Sequence, residues 1–453
     1  MTRHATYGAH ARAILALGLP LIGSHVAQFA VQLTDTFMLG WYDVRVFAGE
    51  VLGSTLFFIL FIAGSGFAWA LAPLVASAEG RGDTTTARRV ARMSLWISCI
   101  YAALTLPLML NADSVLIALG QEPELAQIAD DYLSIYAWGI FPALGVMVLK
   151  SYLSALERAR VVFWVTILAV AVNALGNYMF IFGNWGAPEL GVKGAAIASL
   201  LVQIVSFLAL VVYTEKVTPE HELFRRFWRP DWEAFGQVFR LGWPIGVTVV
   251  TETGLFAMSS MMMGWIGPLQ LAAHGIAIQV SSLTFMIHLG LANTATIRAG
   301  RALGGGDLRG LRDGALVVIL MSLVAAVATI LLFVLAPDWL VGLFLSPDDP
   351  DRDAVVAIGA TLLLGAALFQ LVDAAQVMAL GLLRGLQDTR VPMIYAAISY
   401  WLIGIPCSYV LGFTLGWGGI GIWLGLAAGL ATAGVLMMAR FWLNVLPGLA
   451  ARA

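Results

Sequence analysis

The chain has 453 residues, of which 60% are hydrophobic and only 11% are charged, and its net charge is −2. Soluble domains carry about 25% charged residues, so this composition excludes a soluble protein and predicts a surface that faces lipid. The near-neutral charge argues against a nucleic-acid partner. The two cysteines, Cys99 and Cys407, lie in apolar stretches and are too few for a disulfide framework.

Twelve apolar segments are long enough to cross a bilayer, which takes roughly 20 residues per helix. Their continuous apolar character indicates helices rather than barrel strands, which alternate polar and apolar residues. We therefore predict an all-α polytopic membrane protein. The predicted spans are 13–38, 51–78, 91–111, 126–149, 161–182, 193–214, 236–265, 270–298, 313–343, 355–383, 391–412 and 419–446.

The distribution of Lys and Arg predicts the orientation of these spans. With the N-terminus inside, 22 of the 25 basic residues fall on the inner side, including Arg3 and Arg452 near the termini. Only Arg45, Lys193 and Arg352 fall outside. Because cytoplasmic loops carry an excess of basic residues, we expect both termini in the cytoplasm and a location in the bacterial inner membrane.

The two halves of the chain resemble each other at nearly one shift. Residues 17–20 match 241–244 at a shift of 224, and Gly80 and Asp83 match Gly304 and Asp307 at the same shift. Six helices per half is an even number, so a duplication places both halves in the same orientation. We predict an N-lobe, 1–220, and a C-lobe, 221–453, related by a pseudo-two-fold axis along the membrane normal and working by alternating access.

Three acids lie deep in predicted helices: Asp35 in helix one, Glu252 in helix seven and Asp373 in helix ten. Ionisable residues inside a membrane are costly, so they are candidates for function by default. A carboxylate there can carry a proton or attract a cation. The sequence therefore favours these acids as cation-coupling residues, with Na⁺ possible at Glu252 and Asp373.

Polar side chains share helical faces with the acids. Asn173 and Asn177 are four residues apart and so lie on one face of helix five. An Asn oxygen can bind a hard cation such as Na⁺, and an Asn can equally join two helices by hydrogen bonds. Further candidates for binding substrate or cation are Gln28, Gln32, Phe369 and Gln376.

These motifs together resemble the multidrug and toxic compound extrusion (MATE) family, in particular its NorM-like bacterial branch. The resemblance covers nearly the whole chain. It rests on Leu19-Pro20, on Pro244 with Glu252, and on the segments 34–40, 173–177, 186–191, 373–376 and 383–390.

The resemblance implies a two-lobed pump that exports amphipathic organic cations in exchange for H⁺ or Na⁺. It implies coupling acids at Glu252 and Asp373 and an N-lobe site at Asp35, Asn173 and Asn177. Relatives often carry Tyr one turn before the helix-ten acid, where this chain has Phe369. Phe369 has no hydroxyl oxygen to coordinate Na⁺, so the prediction slightly favours H⁺. We expect a monomer that needs no cofactor besides the coupling ion.

Two other functions compete with export of cations. A flippase for lipid-linked saccharides would need cations around its pyrophosphate ligand, whereas these helices offer acids and almost no deep Lys or Arg. A membrane enzyme would need a metal or nucleophile constellation that the sequence does not show. The acidic run from Asp348 to Asp353 lies on a predicted outer loop and is interpreted as a solvated turn.

Overall fold

A computed structural model describes residues 6–347 and 350–451, and it confirms twelve helices that are long and apolar enough to cross a membrane. Arg3, Arg452, Asp348 and Asp349 lie outside the described residues. The spans are α1 Tyr7–Tyr42, α2 Val44–Gly80, α3 Thr84–Met109, α4 Pro123–Ala155, α5 Ala159–Phe180, α6 Val192–Val217, α7 Trp232–Ile266, α8 Pro268–Gly304, α9 Leu308–Leu335, α10 Arg352–Gly385, α11 Arg390–Thr414 and α12 Gly418–Ala450.

Several helices begin earlier than hydropathy predicts, because polar caps define their starts. Only Asp43 separates α1 from α2, and its Oδ1 accepts hydrogen bonds from the backbone N–H groups of Arg45 and Val46 at 2.8 and 2.9 Å. Asp83 caps α3 in the same way through the N–H of Thr86 at 2.9 Å. Such caps satisfy backbone donors that the first helical turn leaves free.

The prediction of one continuous ninth span, 313–343, is wrong at its outer end. Helix α9 ends at Leu335, and a separate short helix runs over Pro337–Gly342. Pro337 has no backbone N–H and disfavours a helical conformation at the preceding Ala336, whose φ and ψ are −137° and 42°. The proline therefore divides an apolar run that hydropathy alone treats as one helix.

The chain divides into two compact units. We call Gly23–Gly246 the N-unit, and Met1–Ile22 with Val247–Ala453 the C-unit. These divisions fall inside α1 and α7, whereas the predicted lobes divide at 220/221, and the symmetry of the lobes stays a prediction.

Contacts within the N-unit explain why it extends beyond residue 220. Arg92 donates hydrogen bonds to the carbonyl groups of Glu222 and Leu223, each at 2.6 Å. Arg89 binds Asp231, with its Nε 2.5 Å from Oδ2 and its Nη2 3.1 Å from Oδ1. The segment that precedes α7 is thereby attached to α3.

We expect Asp231→Asn to lower the melting temperature at pH 7 by about 1 °C, since paired ions near a surface contribute up to about 1 kcal/mol. The Arg89 hydrogen bond holds the pKa of Asp231 below its usual value. The stabilisation is therefore present above the unfolded-state pKa and is lost as pH falls through the folded-state pKa.

Melting curves of the purified protein between pH 7 and pH 3 test this expectation. The gap between wild type and Asp231→Asn should shrink as pH falls. Glu215→Gln is a control because Glu215 is exposed near the end of α6. Equal melting of Asp231→Asn and wild type at pH 7 would contradict a stabilising role for the pair.

Candidate functional site

Asp35 of α1 meets two asparagines of α5 in the N-unit. Its Oδ1 accepts hydrogen bonds from Asn173 Nδ2 at 2.7 Å and from Asn177 Nδ2 at 2.6 Å. A carboxylate can only accept, so the amide nitrogens must face it. The i, i+4 spacing of the asparagines therefore brings both side chains onto one carboxylate, as their position on one helical face predicts.

The side-chain oxygens of the same two asparagines are available to bind a ligand. Oδ1 of Asn173 and Oδ1 of Asn177 are buried and have no hydrogen-bond partner among the described residues. Burying an acceptor without a partner costs about 1–3 kcal/mol, so these oxygens suit a bound cation or water. The two interpretations left open by the sequence are thus compatible, because the amides both join α1 to α5 and offer oxygen ligands.

Asp35 lies deeper than the sequence predicts. Helix α1 continues to Tyr42, seven residues beyond Asp35, rather than ending near residue 38. At 1.5 Å per residue this places Asp35 about 10 Å from the end of the helix. Gln28 and Gln32 have exposed side chains, and neither takes part in the described hydrogen bonds to Asp35.

Lys150 is a deep cation that the sequence analysis assigned to the inner loop. Helix α4 continues to Ala155, and Lys150 Nζ donates a hydrogen bond to Thr166 Oγ1 of α5 at 3.0 Å. Thr166 Oγ1 in turn lies 2.9 Å from Ser24 Oγ of α1. The expectation that the helices hold almost no deep Lys or Arg is therefore wrong for the N-unit.

Glu252 of α7 and Asp373 of α10 lie close enough in the C-unit to interact electrostatically. Asp373 is only 4% exposed, and its Oδ1 has no hydrogen-bond partner in the described part of the chain. Glu252 also interacts with the guanidinium of Arg384, which lies in the last turn of α10 rather than in a solvated loop. Glu252 therefore interacts with both a second acid, Asp373, and an internal cation, Arg384.

Phe369 takes a packing position next to these acids. It is 3% exposed and packs edge-to-face against Trp423, with ring centroids 5.3 Å apart and planes at 87°. Phe256 also packs edge-to-face against Phe369, with ring centroids 5.9 Å apart. The predicted contact of Phe369 with substrate stays a prediction, and its described neighbours are aromatic.

A hydroxyl group nevertheless reaches this region from α11. Gln376 Nε2 donates a hydrogen bond of 2.8 Å to Tyr400 Oη, and both side chains are buried. Tyr400 also interacts electrostatically with Glu252, Asp373 and Arg384. The phenol oxygen that Phe369 lacks is therefore supplied by another helix, which weakens the argument for H⁺ drawn from Phe369.

Tyr400 lies in a widened stretch of helix. Residues Ile398–Gly404 form a π-helical segment, and such segments are frequent at functional sites. Gly404 allows this segment to press against Gly429 of α12, since a Cβ at Gly404 would lie 3.3 Å from the Gly429 Cα. Sequence reasoning missed Tyr400, although the pair Ser399-Tyr400 is a detectable polar signal in an apolar span.

Unpartnered polar atoms cluster on one face of α10. Gln370, Asp373 and Gln376 are spaced by three residues, and Gln370 Nε2 and Oε1, Asp373 Oδ1 and Gln376 Oε1 have no hydrogen-bond partner among the described residues. The described residues contain no group of three or more His, Cys, Asp or Glu side chains placed for a metal ion. Carboxylate, amide and phenol oxygens suit a proton or a hard monovalent cation better than a transition metal.

Ser259 lies seven residues after Glu252 on α7 and belongs to a different cluster. Its Oγ lies 3.4 Å from His274 Nε2 and donates to the carbonyl of Phe256 at 2.7 Å. His274 Nδ1 accepts a hydrogen bond from Trp423 Nε1 at 3.1 Å. These buried groups satisfy one another and support the α7–α8–α12 packing.

Twelve spans with acids and amides buried inside each unit are features of a membrane transporter. The MatE family model matches residues 20–179 and 244–410, two segments whose starts are 224 residues apart, as in the internal repeat. The chain belongs to this family, so it is a multi-pass membrane transporter of the multidrug efflux class and not an enzyme.

Relatives and solved structures agree with this assignment. The chain is 46% identical over 435 residues to a probable multidrug resistance protein NorM of Rhizobium meliloti (strain 1021), covering 96% of this chain and 93% of the relative. It is 44% identical over 438 residues to the corresponding protein of Agrobacterium fabrum, covering 96% and 94%. A structure described as the outward-facing conformation of a multidrug resistance MATE family transporter matches with a TM-score of 0.88 at 20% identity, covering 98% of this chain and 97% of the other.

We expect Tyr400→Phe to reduce drug export by about fivefold, which is close to the net contribution of one hydrogen bond. The substitution keeps the ring and removes only the oxygen that Gln376 contacts. Tyr409→Phe is a matched control, because Tyr409 lies on the same span with an exposed side chain.

Export of ethidium from cells that carry each variant measures the effect at equal protein abundance. Unchanged export by Tyr400→Phe, or an equal loss in Tyr409→Phe, would remove Tyr400 from the site.

Proposed function

We propose that this transporter exports amphipathic organic cations in exchange for H⁺ or Na⁺ by alternating access. The observation that carries the proposal is the pair Glu252 and Asp373, which interact in the C-unit beside the unpartnered oxygens of Gln370 and Gln376. An acidic site lined by free acceptors is suited to a positively charged ligand.

The charges of the C-unit site support a one-for-one exchange of cations. If both carboxylates are ionised, Glu252 and Asp373 contribute two negative charges and Arg384 contributes one positive charge. The remaining negative charge is costly in a low-dielectric environment unless a further cation is present. A proton, a Na⁺ ion or a cationic drug can each supply that charge, so binding of one favours release of another.

This competition connects cation binding to alternating access. A ligand shifts an inward–outward equilibrium only by its different affinities for the two states. A neutralised site can be enclosed at lower cost than a charged one, so cation occupancy favours the conformational change. The coupling ion is then the only ligand that the mechanism needs besides the exported substrate, and no organic cofactor takes part.

The N-unit contributes a second acidic site in this proposal. Asp35 is held by the amides of Asn173 and Asn177, and their free oxygens provide further ligands for a cation. The exposed amides of Gln28 and Gln32 lie earlier on α1 and are proposed to contact substrate.

The phenol of Tyr400 and the free amide oxygens make Na⁺ as compatible with the C-unit site as H⁺ is. The missing hydroxyl of Phe369 therefore does not distinguish the two ions, and measurements of transport under each gradient do.

We further propose that the protein lies in the bacterial inner membrane as a monomer with both termini in the cytoplasm. The 22:3 distribution of basic residues supports this topology.

Fusions to the C-terminus test this topology. Green fluorescent protein fused there should fluoresce, and alkaline phosphatase fused there should be inactive, because the C-terminus is expected in the cytoplasm. The opposite pair of results would place the C-terminus outside the cytoplasm and contradict this topology.

We expect Glu252→Gln and Asp373→Asn each to reduce gradient-driven export by about tenfold or more, which corresponds to roughly 1.4 kcal/mol of coupling. Both changes keep the shape of the side chain and remove its charge. The double variant should be little worse than the worse single variant, because a shared site loses its function once.

Ethidium export from energised inverted vesicles measures these losses. Asp338→Asn is the control, since Asp338 is an exposed acid of the C-unit. Losses that multiply in the double variant would show two independent sites, and full export by either single variant would exclude that residue from coupling.

A further inference from the structure

Glu50 is an acid of the N-unit that neither the sequence analysis nor the proposed function uses. The predicted second span began at residue 51, whereas α2 begins at Val44, so Glu50 lies within the first two turns of the helix. Its side chain is buried, with 7% of its surface exposed. A carboxylate this buried in a membrane helix is a functional candidate by its cost alone.

Close packing between α2 and α4 encloses Glu50. Gly49 and Gly53 flank it, and a Cβ at Gly49 would lie 2.5 Å from Ile128 Cβ of α4. A Cβ at Gly53 would lie 3.1 Å from the carbonyl oxygen of Ala129. Small residues four apart allow helices to approach closely in membranes, and here they remove the space through which water would reach the acid.

Glu50 and Asp35 lie at similar depth on adjoining helices. Asp43 is the single residue between α1 and α2; Asp35 precedes it by eight residues and Glu50 follows it by seven. At 1.5 Å per residue both acids lie about 11 Å from this turn, on chains that run in opposite directions. The two carboxylates are close enough to interact electrostatically.

Among the described residues, the groups that interact electrostatically with Glu50 include no Lys or Arg. The hydroxyl of Ser54, four residues further along α2, lies near its carboxylate and donates a hydrogen bond to the carbonyl of Val51 at 3.3 Å. The titratable groups that interact with Glu50 in the described part of the chain are Asp35, Tyr132 and Tyr136. In the C-unit Glu252 interacts with Arg384, whereas Glu50 and Asp35 interact with phenols and with each other.

We propose that Glu50 is a second coupling carboxylate of the N-unit and that it shares one proton or small cation with Asp35. The inference rests on the proposed cation-coupled export and adds a residue to its N-unit site. The free oxygens of Asn173 and Asn177 complete the set of ligands on the Asp35 side. One cation between the two acids lowers the electrostatic cost of enclosing both.

The test uses the purified full chain in liposomes with two measurements on each variant. The first is ethidium export driven by an imposed proton or Na⁺ gradient, and the second is downhill ethidium exchange without a gradient. The variants are Glu50→Gln, Glu50→Asp, Asp35→Asn and the double variant Asp35→Asn/Glu50→Gln. Glu124→Gln is the control, because Glu124 is an exposed acid of α4 that pairs with Arg45 at 2.6 Å.

We expect Glu50→Gln to lose gradient-driven export by about fivefold or more while downhill exchange stays within about twofold of wild type. Glu50→Asp, which keeps the carboxylate, should retain at least about half of the driven export, and the double variant should be little worse than the worse single variant. A purely structural role for Glu50 would reduce driven and downhill movement together.

Driven export by Glu50→Gln at the wild-type rate would overturn the inference, and so would equal losses in both measurements. If Glu50→Gln does not fold, Glu50→Asp decides the question: retained driven export supports the inference, and equal losses of driven and downhill movement overturn it. Absence of driven export by the wild type itself would instead reject the proposed function, so the two failures are distinguishable.

Discussion

The cost of placing carboxylates inside membrane helices is the constraint on which the rest of this structure depends. An ionised acid buried without a partner is unfavourable by several kcal/mol, so each such acid must be paired, protonated or bound to a cation. The chain compensates its acids in three ways: Asn173 and Asn177 donate to Asp35, Arg384 interacts with Glu252, and Glu50 lies beside Ser54. Each arrangement leaves negative charge that a further cation can neutralise. Because a coupling ion and a cationic drug can both supply that positive charge, the uncompensated charge can couple ion movement to drug movement.

The helices make this arrangement possible by packing closely around polar groups. Glycines bring α2 against α4 near Glu50 and bring α11 against α12 near Tyr400. Tyr400 lies in the π-helical segment of α11, and its hydroxyl accepts the hydrogen bond from Gln376. The duplicated scaffold thus carries two different acidic sites. At the 224-residue shift Asp35 corresponds to Ser259, which binds neither acid and instead lies beside His274.

Hydropathy predicts the parts of this fold that depend on transfer into lipid. It identifies all twelve spans because about 20 apolar residues are needed for each, and the i, i+4 spacing of Asn173 and Asn177 predicts that they lie on one helical face. It fails where local chemistry defines a helix end, as at the Asp43 cap and before Pro337. Hydropathy also ends predicted spans at charged residues, which is why the spans 51–78, 126–149 and 355–383 exclude Glu50, Lys150 and Arg384.

Tertiary contacts could not be derived from these patterns. The hydrogen bond between Gln376 and Tyr400 joins residues of two helices whose rotation about their axes the sequence does not specify. The same is true of the approach of Glu50 to Asp35, although the short α1–α2 turn limits their depths.

The central claim is that a cation gradient drives export through these acids, and it is tested most directly by drug transport in liposomes that contain only the purified protein. A proton gradient and a Na⁺ gradient are imposed separately, each with and without the ionophore that dissipates it. The account predicts uphill movement of ethidium with at least one of the two gradients and its loss when that gradient is dissipated. Uphill movement without any ion gradient, or none under either gradient despite intact downhill exchange, would contradict the account.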